Sequence, residues 1–504
     1  MPSPSTPNPR RVFERLIDIR EGESRIILWS CAYFFFLLAG YYVLRPVREA
    51  MGLTGGVRNL PWLYMATLGS MLIVNPIFAA LVSRYSRRIF VPTVYVFLGV
   101  NLAVFFVLFR SLPESGTVGP ARVFYVWLSV INLFINSLFW STMADIFRPG
   151  QSKRLFGLIG VGGTTGAIVG AATAVFVADH IAKLHEQTGA AGAVRVEDVL
   201  LPVAFGLWLI ACLCAMQVDR VARVVKWMKA SSVDEPYDDF ADPALGGHMW
   251  AGITHVIRSP YLLGICLFLL FYTLSSTITY FIQANIVDAA FESREQRTAV
   301  FGWIDLSVNI LTLLIQVFLT GRIIRKIGVG VTLGLLPLVS LIGFVALGLY
   351  PILVVLIVFQ VCRRGSNYAL SKPARETLFT VIPREDKYKA KNLIDMFFYR
   401  GGDAIGAAGF KALTEPAAIF NGLSGAAAGL GLAEPAAALK AMALSVVGLG
   451  LGGVASLAAP MAVVWFIVAV ILGRAQSKRA TLMAQTPGAS PPTPEPADRA
   501  TLPH

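Results

Sequence analysis

The sequence predicts an all-α, polytopic membrane protein of about twelve transmembrane helices in two six-helix halves, and three observations predict it. The 504 residues are 56% hydrophobic and only 14% charged, with a mean hydropathy of +0.65, whereas soluble domains average about 25% charged. The apolar residues fall in repeated blocks of about 18 to 25, each long enough to cross about 30 Å of hydrocarbon. The 43 Lys and Arg outnumber the 30 Asp and Glu, and they gather in alternate loops. This composition excludes an ordinary soluble enzyme.

Taken in order, the first span (26–44) follows a charged, Pro-containing arm, residues 1–25. No small-residue cleavage site lies behind it, so it reads as a retained span and not a signal peptide. Spans at 60–82, 90–110, 123–146, 155–178 and 199–217 complete an N-terminal half, 26–217. The charged stretch 218–259 is a cytoplasmic linker. The C-terminal half, 260–474, holds spans at 260–286, 298–320, 328–349, 352–371, 392–412 and 449–473. Arg363 and Arg364 sit late in the tenth and count with the loop that follows it. Asp395, Arg400 and Asp403 interrupt the eleventh, and the Ala/Gly-rich stretch 416–448 leaves room for an interfacial or re-entrant segment. The tail, 475–504, carries TPGASPPTPEP and reads as disordered.

With both termini cytoplasmic, the inside segments hold 31 of the 43 Lys and Arg, the outside segments and adjoining span ends 11, and Arg400 lies mid-span. That asymmetry follows the positive-inside rule. It absorbs most of the positive surplus without nucleic acid as a partner, and no nucleic-acid-binding module is present. The five cysteines (Cys31, Cys212, Cys214, Cys266, Cys362) lie in or at the ends of apolar runs and read as packing residues. The sequence predicts no metal site and no cofactor. His180 and His185 fall outside whereas His248 and His255 fall inside, and no nucleophile–base pair is evident, so an enzyme is not expected.

The chain repeats itself. Arg84, Arg87 and Arg88 recur as Arg322, Arg325 and Lys326, 238 positions later, and Gly162-Gly163 recurs as Gly401-Gly402, 239 positions later. Two loops matching within one residue argue for duplicated halves. A duplicated twelve-span chain with basic loops after spans 2 and 8 has the layout of the major facilitator architecture, in which substrate binds near the midplane between rocking halves.

Ionisable residues inside spans cost roughly 2.5 to 3.5 kcal/mol on insertion scales and so mark function. Arg45 and Arg48, three apart in YYVLRPVRE with Glu49 beside them, share one face if the helix continues past Pro46. Two guanidinium forks on one face can grip a polyanion such as a phosphate chain; the alternative is a helix end with snorkelling arginines. Asp145, closing FWSTMAD, is a candidate gate partner of Arg148 or Arg154, and Asn132 and Asn136 lie one turn apart above it. Gly162, Gly166 and Gly170 form a stripe for close helix packing and not a dinucleotide fingerprint, since Thr165 occupies the third glycine position. Tyr272, Thr273, Ser275, Ser276, Thr277, Thr279, Tyr280 and Gln283 make span 7 polar but uncharged. Asp305 is a candidate ion-pair partner or proton site. Lys387, Lys389, Lys391, Asp395, Arg400 and Asp403 form the densest charged constellation.

These segments resemble the ATP/ADP translocase family of nucleotide transporters, distantly related to the major facilitator superfamily. The resemblance rests on LRPVRE at 44–49, FWSTMADIF at 139–147, RLFGLIGVGG at 154–163, IDLSVN at 304–309, and DKYKAKNLID followed by YRGGD. It implies exchange of ATP for ADP, or another nucleotide antiport, with no chemistry on the substrate. It matches Arg45 to a motif arginine, places Arg48 where the family has an important lysine, and puts another important lysine in the segment of Lys387, Lys389 and Lys391. Leu128 and Tyr280 stand where the better-known carriers have glutamates, which implies a divergent bacterial member whose substrate need not be adenylate. The sequence therefore predicts an antiporter of nucleotides or another phosphorylated anion, ATP-binding, in the cytoplasmic membrane. Arg45, Arg48, Lys387, Lys389, Lys391 and Arg400 would bind substrate, and Glu49, Asp145, Asp305, Asp395 and Asp403 would serve as coupling or ion-pair groups. Two other readings stay open: a proton-coupled carrier of another small molecule using Asp305 or Asp395, and a non-transporting receptor or scaffold. Oligomeric state is left open.

Overall fold

A chain in hydrocarbon must satisfy every backbone N–H and C=O internally, so long apolar runs fold as helices. The computed structural model describes residues 23–85, 87–147, 149–188, 194–230, 259–382, 399–417, 421, 424, 440 and 448–485. No strand occurs among the described residues. The principal helices are α1 (Ser24–Gly52), α2 (Leu60–Arg84), α3 (Arg87–Ser111), α4 (Val118–Ile146), α5 (Pro149–Thr188), α6 (Val196–Ala230), α7 (Pro260–Ala290), α8 (Arg294–Ile315), α9 (Val329–Leu349), α10 (Leu353–Ser366), α11 (Tyr399–Thr414) and α12 (Leu451–Gln485). Two of them continue through a π-helical turn. α8 runs through Gln316–Thr320 into Gly321–Ile327, and α10 runs through Asn367–Ser371 into Lys372–Leu378.

Among the described residues, nine helical stretches are long and apolar enough to cross a membrane. Each expected span falls on one of the principal helices, except that positions 392–398 of the eleventh lie outside the described residues. Several helices outrun the apolar windows. α12 continues to Gln485 and α6 to Ala230, so the first residues of the expected tail and linker are helical. A hydropathy window marks the hydrocarbon layer, whereas helix length is limited by caps and breakers. Ile73, Phe176 and Leu349 are 68%, 73% and 69% exposed, an outward apolar surface suited to lipid and unsuited to water.

The chain divides into two compact units, Met1–Tyr237 with Val287–Ile310, and Asp238–Ile286 with Leu311–His504. Within the first, α1 packs against α4, α5 and α6, burying Tyr33, Leu37, Leu44 and Val47. The glycine stripe of α5 is the reason α1 comes so near. A Cβ on Gly162, Gly166 or Gly170 would lie 2.7, 2.2 or 2.3 Å from the carbonyl oxygens of Cys31, Phe35 and Ala39 respectively. Trp208 of α6 closes the other side, donating from Nε1 to the Leu37 carbonyl at 3.2 Å.

Within the second unit, α9 packs against α10 and α12. Gly330 meets Gly473 and Gly348 meets Gly452 backbone to backbone. A cluster of Phe268, Tyr272, Leu333 and Trp465 fills the core. Here too glycines admit a neighbour: a Cβ on Gly402 would fall 1.8 Å from Thr273 Oγ1, and one on Gly406 2.9 Å from Thr277 Cβ. Thr273 and Thr277 of the polar run in α7 therefore face α11.

Candidate functional site

α1 stays helical through Pro46 to Gly52, although a proline removes the N–H that would bond the carbonyl of Tyr42. Arg45 and Arg48 therefore lie within one continuous helix, but different partners hold their guanidinium groups. Arg45 Nη1 is 3.4 Å from Asp305 Oδ1, and the guanidinium sits over the Tyr42 ring at 5.4 Å. Asp305 is only 4% exposed in its side chain and Arg45 16%. Gly302 makes the encounter possible: a Cβ there would lie 2.7 Å from Val175 Cγ2 and 3.7 Å from Pro46 Cγ. α8 is thus seated on α5 and α1, with Asp305 one turn further on.

Arg48 pairs with Glu49, donates to Ser129 Oγ at 3.1 Å and lies over the Tyr125 ring at 5.1 Å. Glu49 is buried, so α1 and α4 together hold one ion pair, and α1 and α8 hold another. Both cations are desolvated and oriented, the condition under which an arginine fork binds a phosphate strongly. Asn132 and Asn136 bond to each other along α4, with Asn136 Nδ2 3.0 Å from Asn132 Oδ1.

The remaining expected residues are dispersed. Asp403 on α11 accepts from Thr277 Oγ1 at 3.1 Å. Asp145 lies on α4 and Arg400 on α11, with side chains outside the described residues. Lys387, Lys389, Lys391 and Asp395 also lie outside them. Of the candidate set, the structure brings together Arg45 with Asp305 and Arg48 with Glu49.

Two features were not expected. Arg363 belongs to α10 and not to a following loop, and it is 3% exposed. Helix α10 does not end there because its helical path carries on through the π turn. Its position ten residues into an apolar run was the available signal, masked by the adjoining Arg364. At one end of the first unit, Arg294 reaches Glu197 at 2.5 Å and Thr117 Oγ1 at 3.3 Å, and Arg297 reaches Asp288 at 2.8 Å. Glu197 is 1% exposed, and nothing in the sequence pairs it with a residue nearly a hundred positions away.

Comparison with known proteins follows the same direction. A family described as TLC ATP/ADP transporter matches residues 122–414. ADP,ATP carrier protein 1 of Chlamydia trachomatis is 22% identical over 455 residues, covering 78% of this chain and 82% of that protein. The protein of the same name from Chlamydia pneumoniae is 20% identical over 453 residues, covering 78% and 85%. Among solved structures, the nucleoside transporter NupG aligns with a TM-score of 0.52 at 10% identity, over 90% of this chain and 99% of that one. A bacterial homolog of the human lysosomal transporter Spinster aligns at 0.50 with 14% identity, over 93% and 100%. At such identities the structural likeness speaks for the fold alone, which is of the major facilitator type.

Proposed function

Because this chain belongs to the TLC ATP/ADP transporter family, we propose that it exchanges nucleotides, ATP against ADP or a closely related phosphorylated anion, across the cytoplasmic membrane. It is a multi-pass secondary transporter of a transporter family. The observation that carries the reading beyond the family is the buried Arg45–Asp305 pair beside Arg48 and Glu49. The carboxylates of Asp305 and Glu49 hold the two arginines. A phosphate chain competes for the same guanidinium forks with more charge and better geometry, and on release the carboxylates return. Lys387, Lys389, Lys391 and Arg400 add positive potential along the substrate's path, with Asp395 and Asp403 as their counter-charges and Asp145 in a gate pair.

Proteoliposomes loaded with ADP should take up labelled ATP, and empty ones should not. Absence of uptake across nucleoside di- and triphosphates removes the nucleotide reading. The near-complete burial of Asp305 also favours a second reading, a carrier driven by a proton gradient. In that case an imposed pH gradient drives uptake and Asp305→Asn abolishes it. The Lys and Arg asymmetry supports termini on the cytoplasmic side. A C-terminal fluorescent-protein fusion should then fluoresce, and a phosphatase at the same point should stay inactive.

A further inference from the structure

The repeated basic loops meet different surroundings in the two units. In the first, Arg88 of α3 and Arg223 of α6 both pair with Asp219 of α6, at 3.5 and 3.2 Å. In the second, the repeat of 238 positions puts Lys326 where the first unit has Arg88. α6 and α12 are each 35 residues long, and Asp219 is the twenty-fourth residue of one as Arg474 is of the other. Lys478 then takes the place of Arg223. Three cations occupy positions that hold two cations and a carboxylate in the first unit.

The crossing of α9 and α12 brings these positions to one end of the second unit. Gly330, four residues after Lys326, lies against Gly473, and a Cβ on it would be 3.0 Å from the Gly473 Cα. Arg474 follows directly. Among the described residues, no carboxylate pairs with Lys326, Arg474 or Lys478. The flanking sequence supplies none, since 306–375 and 435–494 contain eleven Lys and Arg and no Asp or Glu. The loop 383–398 sets Glu385, Asp386 and Asp395 against Arg384, Lys387, Lys389 and Lys391, so it is itself basic. Like charges gathered in this way repel, and an anion from outside the chain relieves them.

The neighbouring side chains say which anion fits. On α12, Ile467, Ile471 and Leu482 are 51%, 59% and 52% exposed, and at 100° per residue they share one face with Arg474 and Lys478, both exposed. Ile327 and Val331, on either side of the turn into α9, also point outward. Arg474 lies 23 residues into α12, about 35 Å along the axis at 1.5 Å per residue. The outward apolar face therefore gives way to cations where about 30 Å of hydrocarbon ends. A phospholipid matches both parts, with its phosphate at the level of the cations and its acyl chains on the apolar face. Basic pockets between helices at a membrane surface hold anionic headgroups for this reason.

We propose that Lys326, Arg474 and Lys478 form a headgroup site for an anionic phospholipid at the α9–α12 crossing, with the acyl chains along Ile467 and Ile471. The lipid phosphate supplies the negative charge that Asp219 supplies in the first unit. This inference stands apart from the nucleotide-exchange reading.

The test measures thermal unfolding of the purified full-length protein in neutral detergent, titrated with phosphatidylglycerol, with phosphatidylcholine of the same acyl chains, or with glycerol 1-phosphate. Phosphatidylglycerol should raise the melting temperature, less so at high salt, and the other two should not. A basic residue near an anionic surface contributes about fivefold in affinity. Arg474→Gln with Lys478→Gln should therefore weaken phosphatidylglycerol about twenty-five-fold by the same reckoning. Arg474→Asp, which restores the charge pattern of the first unit, should fold and lose the response. If the double variant does not fold, Lys326→Gln carries the test at about fivefold. Equal shifts with the two lipids, or wild-type affinity for phosphatidylglycerol in the variants, overturn the proposal. A shift with glycerol 1-phosphate as large as with the lipid makes this a free-anion site and overturns it too. A last arm replaces Asp234, Glu235, Asp238, Asp239 and Asp242 of the linker by their amides. If that lowers the lipid-free melting temperature of wild type but not of the double variant, the linker is the anion and the lipid proposal fails.

Discussion

Asp305 faces Arg45 from 260 positions away in sequence, and its removal is the sharpest test at the scale of single residues. Asp305→Asn leaves a mostly buried guanidinium without its carboxylate, and breaking such a pair costs about 3 kcal/mol. The variant should melt lower and exchange poorly. Arg45→Gln combined with Asp305→Asn should recover part of the stability and none of the exchange, because the double variant removes the uncompensated charge but not the need for an arginine. A thermal melt of the four proteins in the cycle, with exchange measured beside it, separates the two contributions. Sequence reasoning recognised Asp305 and Arg45 individually, since each is a charge in an apolar run. It had no means to join them. Arg363 was misjudged for a related reason: neighbours on a helix point about 100° apart, so the Arg363-Arg364 dipeptide reads as one basic signal although Arg363 is buried.

For the helices, the most legible feature was the stripe of Gly162, Gly166 and Gly170, whose spacing alone called for close packing. The structure supplies the partner, the α1 carbonyls of Cys31, Phe35 and Ala39. Gly166→Ala should destabilise the protein strongly, because the new methyl meets rigid backbone at 2.2 Å. Gly160→Ala on the same helix meets nothing within 4 Å and should be neutral or stabilising by up to about 1 kcal/mol, from helix propensity alone. Recovery of folded protein after detergent extraction and its melting temperature distinguish the two. The π turns of α8 and α10 were invisible in the sequence, since an i to i+5 bond leaves no compositional trace. Thr320→Val removes the hydroxyl that donates to the Ala369 carbonyl. It should cost about 1 kcal/mol in the melt.

Across the whole chain, the positive surplus has divided into two kinds of charge. Most of it lies between the expected spans, much of it on helix ends, and should govern orientation: moving the fusion reporters to the outside loops of the expected topology should reverse their activities. A few cations, Arg45, Arg48 and Arg363, are desolvated and held by named partners. Removing residues 486–504 should leave exchange unchanged, whereas a receptor or scaffold working through the tail would lose its activity.

Membrane character, the apolar spans, the glycine stripe and the family resemblance were all determined by the sequence itself. Each is a property of a contiguous window or a fixed spacing, and hydrophobicity and helical period act locally. Which carboxylate meets which arginine, and which of two adjacent arginines is buried, was decided only by the tertiary structure. Coulombic pairing and burial depend on distances between segments that the chain brings together from hundreds of positions apart.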